Sequence, residues 1–308
     1  MRARWAIAGA VRSTATRALD LRGRLRRRPS SSRRLAQPRP LRAGEEPLRL
    51  THALIGCDLN PDYVDYWPLV RRAWKEVVGL EPLLVLVAEP GGVPAELATD
   101  ANVHVFPPVD GLHTAFQAQC IRLFYPALLE TDGAVVISDA DMVPLSRRYF
   151  ERPAAQIPSK HFLAYRNAHM EAGEIPVCYN AALPRTWGDV FDVRTMADVR
   201  DRLATLADGR DYAGTRGGSG WTTDQRLLFE ALRRHAGAAH DVWVLDDHYT
   251  RHRRLERGLL RGKAELPADE LARVRRGVYA DFHCPPPRGP FRDLIESVID
   301  LAVAGGPA

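Results

Sequence analysis

The sequence has no long apolar run and few cysteines. Its longest apolar runs, residues 83–88 and 134–137, are strand-sized and fall short of the ~18 residues that a membrane-spanning helix needs. The four cysteines are widely spaced and form no CxxC pair, which argues against a disulfide framework or a structural zinc site. We therefore expect no transmembrane segment and a reducing, cytoplasmic compartment.

Acidic residues are scarce in the first 47 residues. This segment holds 13 arginines and 3 acidic residues, a net charge of +10, while the whole chain carries +5. The other 261 residues therefore carry 5 − 10 = −5. A mildly acidic remainder without a recognisable nucleic-acid motif makes a nucleic-acid partner unexpected.

The same N-terminal segment lacks apolar periodicity, so it cannot bury enough surface to offset the entropy of ordering. We predict a disordered Arg-rich tail over residues 1–47 and one domain over residues 48–308. A start site assigned too early, a transit peptide and a polybasic arm that contacts anionic lipid stay open as alternatives, and the last implies a peripheral membrane contact.

Strand and helix patterns alternate from residue 50 onwards. Strands are predicted at 50–57, 83–88, 103–106 and 134–138, and helices at 61–78 and 113–129. This order predicts an α/β fold with a mainly parallel sheet and helices on both faces. Further strands are expected at 162–165, 177–183, 242–245 and 278–282, helices at 194–206, 222–235 and 291–303, and a mobile Gly-rich loop at 208–220.

Two aspartates follow the fourth predicted strand. Asp139 and Asp141 are separated by one small residue, at the strand end where open α/β sheets bind their ligands. Two carboxylates there suit Mg²⁺ or Mn²⁺, and such an ion can bridge a nucleotide diphosphate. Turn or capping roles are the alternative for an isolated Asp-x-Asp, but its position after this strand favours a metal site.

This motif and the helix before it resemble the glycosyltransferases of the GT-A fold. The block Arg122-Leu-Phe-Tyr-Pro126-Ala-Leu-Leu129, followed by VVISDADMVPL, is most similar to the retaining family that includes glycogenin and bacterial lipopolysaccharide galactosyltransferases. The likeness extends from about residue 50 to residue 291. It implies a GT-A fold and transfer of a sugar from a nucleotide-diphosphate donor to an unidentified acceptor. The donor that the resemblance favours is a UDP-sugar.

The resemblance implies contacts between the chain and the donor. Asp58 and Asn60 would hold the nucleoside, although Asn60 is equally suited to cap the helix after it. Asn180 would lie beside the donor sugar, within a stretch that has Ala182 where the family has glycine.

Near the anomeric carbon, the resemblance places Asp224 and Gln225. The family often has a second acid after the glutamine, but this chain has Arg226, which weakens the assignment of a nucleophile. There are two alternatives for Asp224: it could be the base of an inverting enzyme, or only a favourable acid in the first turn of its helix. Retention is favoured by the resemblance alone.

Three further residues complete the implied site. His283 would be the third metal ligand with Asp139 and Asp141, and a histidine ligand suits Mn²⁺ better than Mg²⁺. Arg288, together with Arg122, would add positive charge near the diphosphate.

Other functions fit the sequence less well. A haloacid-dehalogenase-type phosphatase would use Asp139 and Asp141, with Asp246-Asp247 as its later acidic pair, but its motif normally ends the first strand of the domain. A sugar nucleotidyltransferase needs its Gly-rich loop after the first strand, whereas Gly214-Thr215-Arg216 lies far down the chain. A binding module that acts through the Arg-rich tail is the third alternative.

Removal of residues 1–47 separates the enzyme from the binding module. We expect the truncated chain to keep its nucleotide-sugar turnover within about twofold, because no residue of the predicted site lies in that segment. Turnover of the two chains on the same donor is the measurement. Loss of all activity with the tail would favour the binding module.

Overall fold

The structure is a computed structural model that describes residues 41–206, 212, 217–239 and 241–305. The predicted tail up to residue 40 and most of the predicted loop at 208–220 lie outside these residues. In the described part, ten strands form two sheets, with the bounds β1 Leu50–Asp58, β2 Glu81–Val87, β3 Val103–Phe106, β4 Ala134–Ser138, β5 Met142–Pro144, β6 Phe162–Ala164, β7 Asn180–Ala182, β8 Val242–Val244, β9 Arg254–Glu256 and β10 Asp281–His283.

The larger sheet has seven strands in the order β3-β2-β1-β4-β7-β6-β8. β1 runs parallel to β2 and β4, β2 is parallel to β3, and β6 is parallel to β8. β7 is antiparallel to both of its neighbours, β4 and β6. The sheet is therefore mainly parallel, and the carboxyl ends of β1, β2 and β4 lie at one edge.

Alternate residues of the central strands pack into two separate apolar clusters. Ile55 and Val136 belong to one cluster, whereas their neighbours Leu54 and Ile137 belong to the other. Helices cover both faces, with the bounds α1 Pro61–Val64, α2 Trp67–Ala73, α3 Ala95–Ala98, α4 Thr114–Phe124, α5 Arg147–Ala154, α6 Pro184–Phe191, α7 Met196–Thr205, α8 Thr223–Ala239, α9 Asp247–Thr250, α10 Ala268–Arg275 and α11 Pro290–Gly305. The first cluster includes residues of α2 and α11, and the second includes residues of α4, α6 and α8. The predicted α/β fold class, with a mainly parallel sheet flanked by helices, is confirmed.

Two predicted helices are shorter than expected because of proline. The helix predicted at 61–78 is divided into α1, α2 and a π-helical turn at Trp74–Val78, and Pro68 lies in the first turn of α2. The helix predicted at 113–129 changes from α4 to a 3-10 turn at Tyr125–Leu128, which contains Pro126. Proline has no N–H to donate to the preceding turn, so it ends one helix and is tolerated at the start of the next.

The smaller sheet has the order β5-β10-β9. β10 is antiparallel to β5 and parallel to β9, and His283 lies opposite Met142 in this register. Because Asp141 directly precedes β5, the pairing brings His283 beside the Asp-x-Asp motif. Neither β5 nor β9 is predicted from the sequence, because β9 has one apolar residue between two charged ones and β5 is a short stretch that ends at Pro144.

Phe150 of α5 is fully buried among aromatic residues. Its ring centroid lies 4.8 Å from that of Trp74 and 4.8 Å from that of Tyr179. Phe150→Ala should lower the free energy of unfolding by about 3–5 kcal/mol through lost contacts and a cavity. Urea denaturation measures it against Arg148→Ala, an exposed control in the same helix expected to change stability by less than about 0.5 kcal/mol. Equal losses in the two variants would contradict this packing role.

Candidate active site

A cavity of about 530 Å³ opens beyond the carboxyl ends of β1 and β4. Its volume is within the range of small-molecule sites, roughly 300–1,000 Å³. Eight of the ten site residues predicted from the sequence line it: Asp58, Asn60, Arg122, Asp139, Asp141, Asp224, Gln225 and His283. Residues separated by more than 200 positions in the chain therefore share one cavity.

Asp58 and Asn60 form the turn after β1. The Asp58 carboxylate accepts hydrogen bonds from the backbone N of Asn60 at 3.1 Å and from the hydroxyl of Thr114 at 2.8 Å. The Asn60 side-chain oxygen accepts from the backbone N of Asp62 at 3.0 Å and caps α1. Capping and a place in the cavity lining therefore coexist at Asn60, whose side-chain NH₂ has no partner among the described residues.

Gly56 allows α4 to approach β1 closely. A Cβ at this position would lie 2.5 Å from the carbonyl oxygen of Ala118, which is too close for any side chain. The close approach brings Thr114, the first residue of α4, within reach of Asp58. The absent side chain of Gly56 thus helps to orient the Asp58 carboxylate.

Arg122 of α4 lies beneath the Asp-x-Asp motif and is only 6% exposed. One guanidinium nitrogen, Nη1, donates to the carboxylate of Asp139 and to the carbonyl oxygen of Ser138. The other, Nη2, donates to Asp224 at 2.7 Å. A single buried cation therefore joins the ends of β4 and the start of α8, since it neutralises carboxylates from both.

The pKa values of these two carboxyl groups shift in opposite directions. Partial burial raises the pKa of Asp139, but the charge and hydrogen bonds of Arg122 outweigh burial, so the pKa lies below its ordinary value. Deeper burial raises the pKa of Asp224, and Arg122 offsets this incompletely, so that pKa lies above its ordinary value. Asp139 thus stabilises the fold above its unfolded pKa and loses this contribution as pH falls through the folded value, whereas ionisation of Asp224 costs stability as pH rises.

Asp141, His283 and Arg257 meet at one corner of the cavity. His283 Nε2 lies 3.2 Å from Asp141 Oδ2, and its Nδ1 lies 3.0 Å from Glu256 Oε2. The hydrogen bond and charge of Asp141 raise the pKa of His283. Arg257 Nη1 lies 3.7 Å from the same Asp141 oxygen. A carboxylate, an imidazole and a guanidinium therefore face the same space.

This corner fits a divalent cation in part. Asp141 and His283 offer an oxygen and a nitrogen donor, and Glu256 holds the other ring nitrogen, as acidic groups do for metal-binding histidines. Asp139 instead directs one carboxylate oxygen at Arg122. Among the described residues, no three His, Cys, Asp or Glu side chains are grouped closely enough to hold a metal. The structure thus brings two of the three predicted ligands together.

Asn180 and Arg288 do not line the cavity. The Asn180 side chain is buried in β7, where its NH₂ donates to the carbonyl oxygens of Pro176 at 2.8 Å and Val177 at 2.7 Å. Arg288 is exposed and forms an ion pair with Asp62 of α1. Both side chains are thus engaged in structural contacts, and their predicted contacts with a donor stay predictions.

Several lining residues are missed by the sequence analysis. Arg257 follows the three-residue strand β9, where no apolar period marks an element. Tyr63 also lines the cavity, and the sequence places it only within the helix predicted at 61–78. Gln119 faces the cavity from α4, and its buried Oε1 has no partner among the described residues. Its polarity, on a helix with apolar neighbours and one turn before Arg122, is the signal that could have found it.

Tyr212, one of the described residues of the predicted loop at 208–220, adds an aromatic ring to the cavity. Tyr212 lines the cavity with its ring centroid 5.4 Å from that of His113 and 5.3 Å from that of Phe116. Burial raises the pKa of Tyr212 to about 12, so the phenol is neutral at physiological pH. An aromatic wall of this kind can pack against a planar ligand group.

Comparisons with known proteins give matches at the level of structure. No protein-family model matches the chain, and no curated protein sequence matches it. The chain is similar to the glycosyltransferase GlyE of Streptococcus pneumoniae TIGR4, with 14% identity, a TM-score of 0.37 and coverage of 66% of this chain and 47% of that one. For the apo form of GlyE the identity is 13%, the TM-score 0.44 and the coverage 83% and 62%.

A second similar structure is the galactosyltransferase LgtC in complex with donor and acceptor sugar analogs. The identity is 14% and the TM-score 0.43, with coverage of 80% of this chain and 96% of LgtC. The chain thus spans less than two thirds of GlyE and nearly all of LgtC.

Because Arg122 contacts both Asp139 and Asp224, removal of its charge should lower the free energy of unfolding by an amount that depends on pH. Arg122→Met keeps a long side chain but leaves two carboxylates without their cation, so we expect a loss of about 3–5 kcal/mol at pH 7. Urea denaturation should show a smaller loss at pH 5, because unpaired buried carboxylates bind protons. Arg233→Met, at an exposed position of α8, is the matched control. The same loss at both pH values would contradict the bridge.

Proposed function

We propose that residues 48–308 form a metal-dependent glycosyltransferase domain that transfers a sugar from a nucleotide-diphosphate donor to an acceptor. The proposal is supported by a single cavity that combines polar groups suited to a nucleoside, cations suited to a diphosphate, and a carboxylate–imidazole pair suited to a metal ion. These are the groups that such a donor requires, in one space of sufficient size.

The nucleoside would bind at the turn after β1. Asp58 is fixed by two hydrogen bonds, and Asn60 lines the cavity with an NH₂ that has no partner among the described residues. Hydroxyl groups of a ribose or the edge of a base can donate to the first and accept from the second. The aromatic wall at Tyr212 adds a surface for a planar base, and we propose a UDP-sugar as the donor.

The diphosphate would bind between Arg257 and the Asp-x-Asp motif. Asp141 and His283 would be the first ligands of Mn²⁺ or Mg²⁺, and Asp139 would be the third. Bound there, the ion would neutralise the charge that develops on the leaving diphosphate. Arg257 would add a second positive charge, in the role that the sequence analysis gave to Arg288.

Asp224 and Gln225 would face the reacting sugar at the start of α8. The oxygens of Asp224 accept from Arg122 at 2.7 Å and from the backbone N of Gln225 at 2.8 Å. A carboxylate held in this way suits a positioning role better than that of a base that activates the acceptor. We therefore propose transfer with retention, with Gln225 as the residue nearest the sugar.

The phosphatase alternative gains no support. Its later acidic pair would be Asp246 and Asp247, and neither lines the cavity. Asp246 caps α9, and Asp247 forms an ion pair with Arg166 at 2.8 Å. Asp139, its nucleophile, is held by Arg122.

A reducing compartment also suits the chain. Among the described residues, no helix is long and apolar enough to cross a membrane. The four cysteines are buried thiols. Buried thiols outside disulfides are usual in cytoplasmic proteins. We propose a cytoplasmic location.

Nucleotide binding with and without metal tests this function. UDP with Mn²⁺ at about 100 times Kd should raise the Tm by roughly 5–10 °C. Asp141→Asn should abolish the metal-dependent part of this rise and lower turnover roughly 100-fold, since a ligand is lost. Asp65→Asn, at an exposed position outside the cavity, is the control. No rise with any nucleotide, or an unchanged response in Asp141→Asn, would refute the proposal.

A further inference from the structure

Residues 251–263 carry a concentration of positive charge that the rest of the domain lacks. This basic segment holds six cationic residues and one acid, Glu256, so its net charge is 6 − 1 = +5. Residues 48–308 carry −5 in total, so the domain outside the segment carries −5 − 5 = −10. The segment is therefore a cationic strip on an anionic domain.

The charge of the basic segment is not neutralised within the described residues. Arg251, Arg253, Arg261 and Lys263 are exposed, and none of them has an acidic group at ion-pair distance in the part of the chain that the structure describes. Glu256 is engaged with His283 at 3.0 Å. Protein surfaces usually mix charges of both signs, so four unpaired cations in thirteen residues indicate a binding surface for anions.

The basic segment is continuous with the candidate active site. Its central residue, Arg257, lines the cavity, and the guanidinium lies 3.7 Å from Asp141. Arg251 and Lys263 are each six residues from Arg257, so their Cα atoms lie within about 22 Å of it. A chain-like ligand bound along the segment would therefore extend to the mouth of the cavity.

We propose that the basic segment docks a polyanionic saccharide, which is the acceptor of the transfer reaction. The anionic and extended character of the ligand rests on the charge of the segment and on its continuity with the cavity, whereas the saccharide and its role as acceptor rest on the proposed function. Guanidinium groups bind phosphate, sulfate and carboxylate groups through paired hydrogen bonds.

A membrane surface fits the basic segment less well. Peripheral membrane binding combines positive charge with apolar side chains that enter the bilayer. Of these thirteen residues, all of them described, Leu259 is the large apolar residue that is exposed, at 47%. One such side chain is a weak anchor.

Hydrogen exchange of the full chain with heparin, a sulfated polysaccharide, tests the docking surface locally. At about ten times Kd we expect exchange in peptides covering 251–263 to slow by up to roughly tenfold. This local readout is independent of any binding by the Arg-rich N-terminal segment. No protection at 251–263 would overturn the proposal.

Two quadruple variants supply the matched comparison. Arg251→Gln/Arg253→Gln/Arg261→Gln/Lys263→Gln should lose the protection at 251–263. Arg148→Gln/Arg152→Gln/Arg233→Gln/Arg234→Gln, which removes four exposed cations of α5 and α8, should keep it. Equal loss in both variants would show non-specific attraction and overturn the proposal.

Two further measurements distinguish the saccharide from other anionic ligands, and the docking surface from the proposed transferase function. Stronger protection by phosphatidylglycerol vesicles or by polyglutamate than by heparin would overturn the saccharide in favour of a membrane or an acidic protein. Both quadruple variants should keep the Tm rise with UDP and Mn²⁺. If heparin protects the segment but no nucleotide raises the Tm, the docking surface stands and the transferase function fails.

Discussion

The contact of Arg122 with Asp139 and Asp224 is the interaction on which the candidate site depends. It joins α4, the end of β4 and the start of α8, although Arg122 and Asp224 are 102 positions apart in the chain. Two carboxylates at this depth would repel each other and bind protons without a cation between them. Because Arg122 lies at the base of the cavity, one buried charge fixes both the motif and the start of the helix that faces it.

The Asp-x-Asp motif is also the junction between the two sheets. Asp139 follows the last residue of β4 in the larger sheet, and Asp141 precedes the first residue of β5 in the smaller one. The groups suited to a nucleoside therefore belong to the larger sheet, whereas His283 and Glu256 belong to the smaller. A change in the angle between the sheets would therefore alter the distance from Asp58 to His283.

The sequence predicts this arrangement where its patterns are long. The buried strands at 50–57 and 134–138 predict the centre of the parallel sheet, and four of the lining residues, Asp58, Asn60, Asp139 and Asp141, lie where these strands end. β9 has a single apolar residue between two charged ones, so neither this strand nor Arg257 after it is predicted. Asn180 matches a family pattern in the sequence, but the pattern does not show its contacts. Its NH₂ donates to two carbonyl groups of the backbone close by in the chain.

Gly56 limits which substitutions the site can accept during evolution. Since even a methyl group there would meet the backbone of α4, the position is closed to single substitutions unless the helix moves outward. Such a movement would withdraw Thr114 from Asp58 and shift Arg122, which lies two turns further along the same helix. A substitution at position 56 is therefore expected only together with an outward shift of α4. Related proteins that keep this cavity should keep glycine at this position.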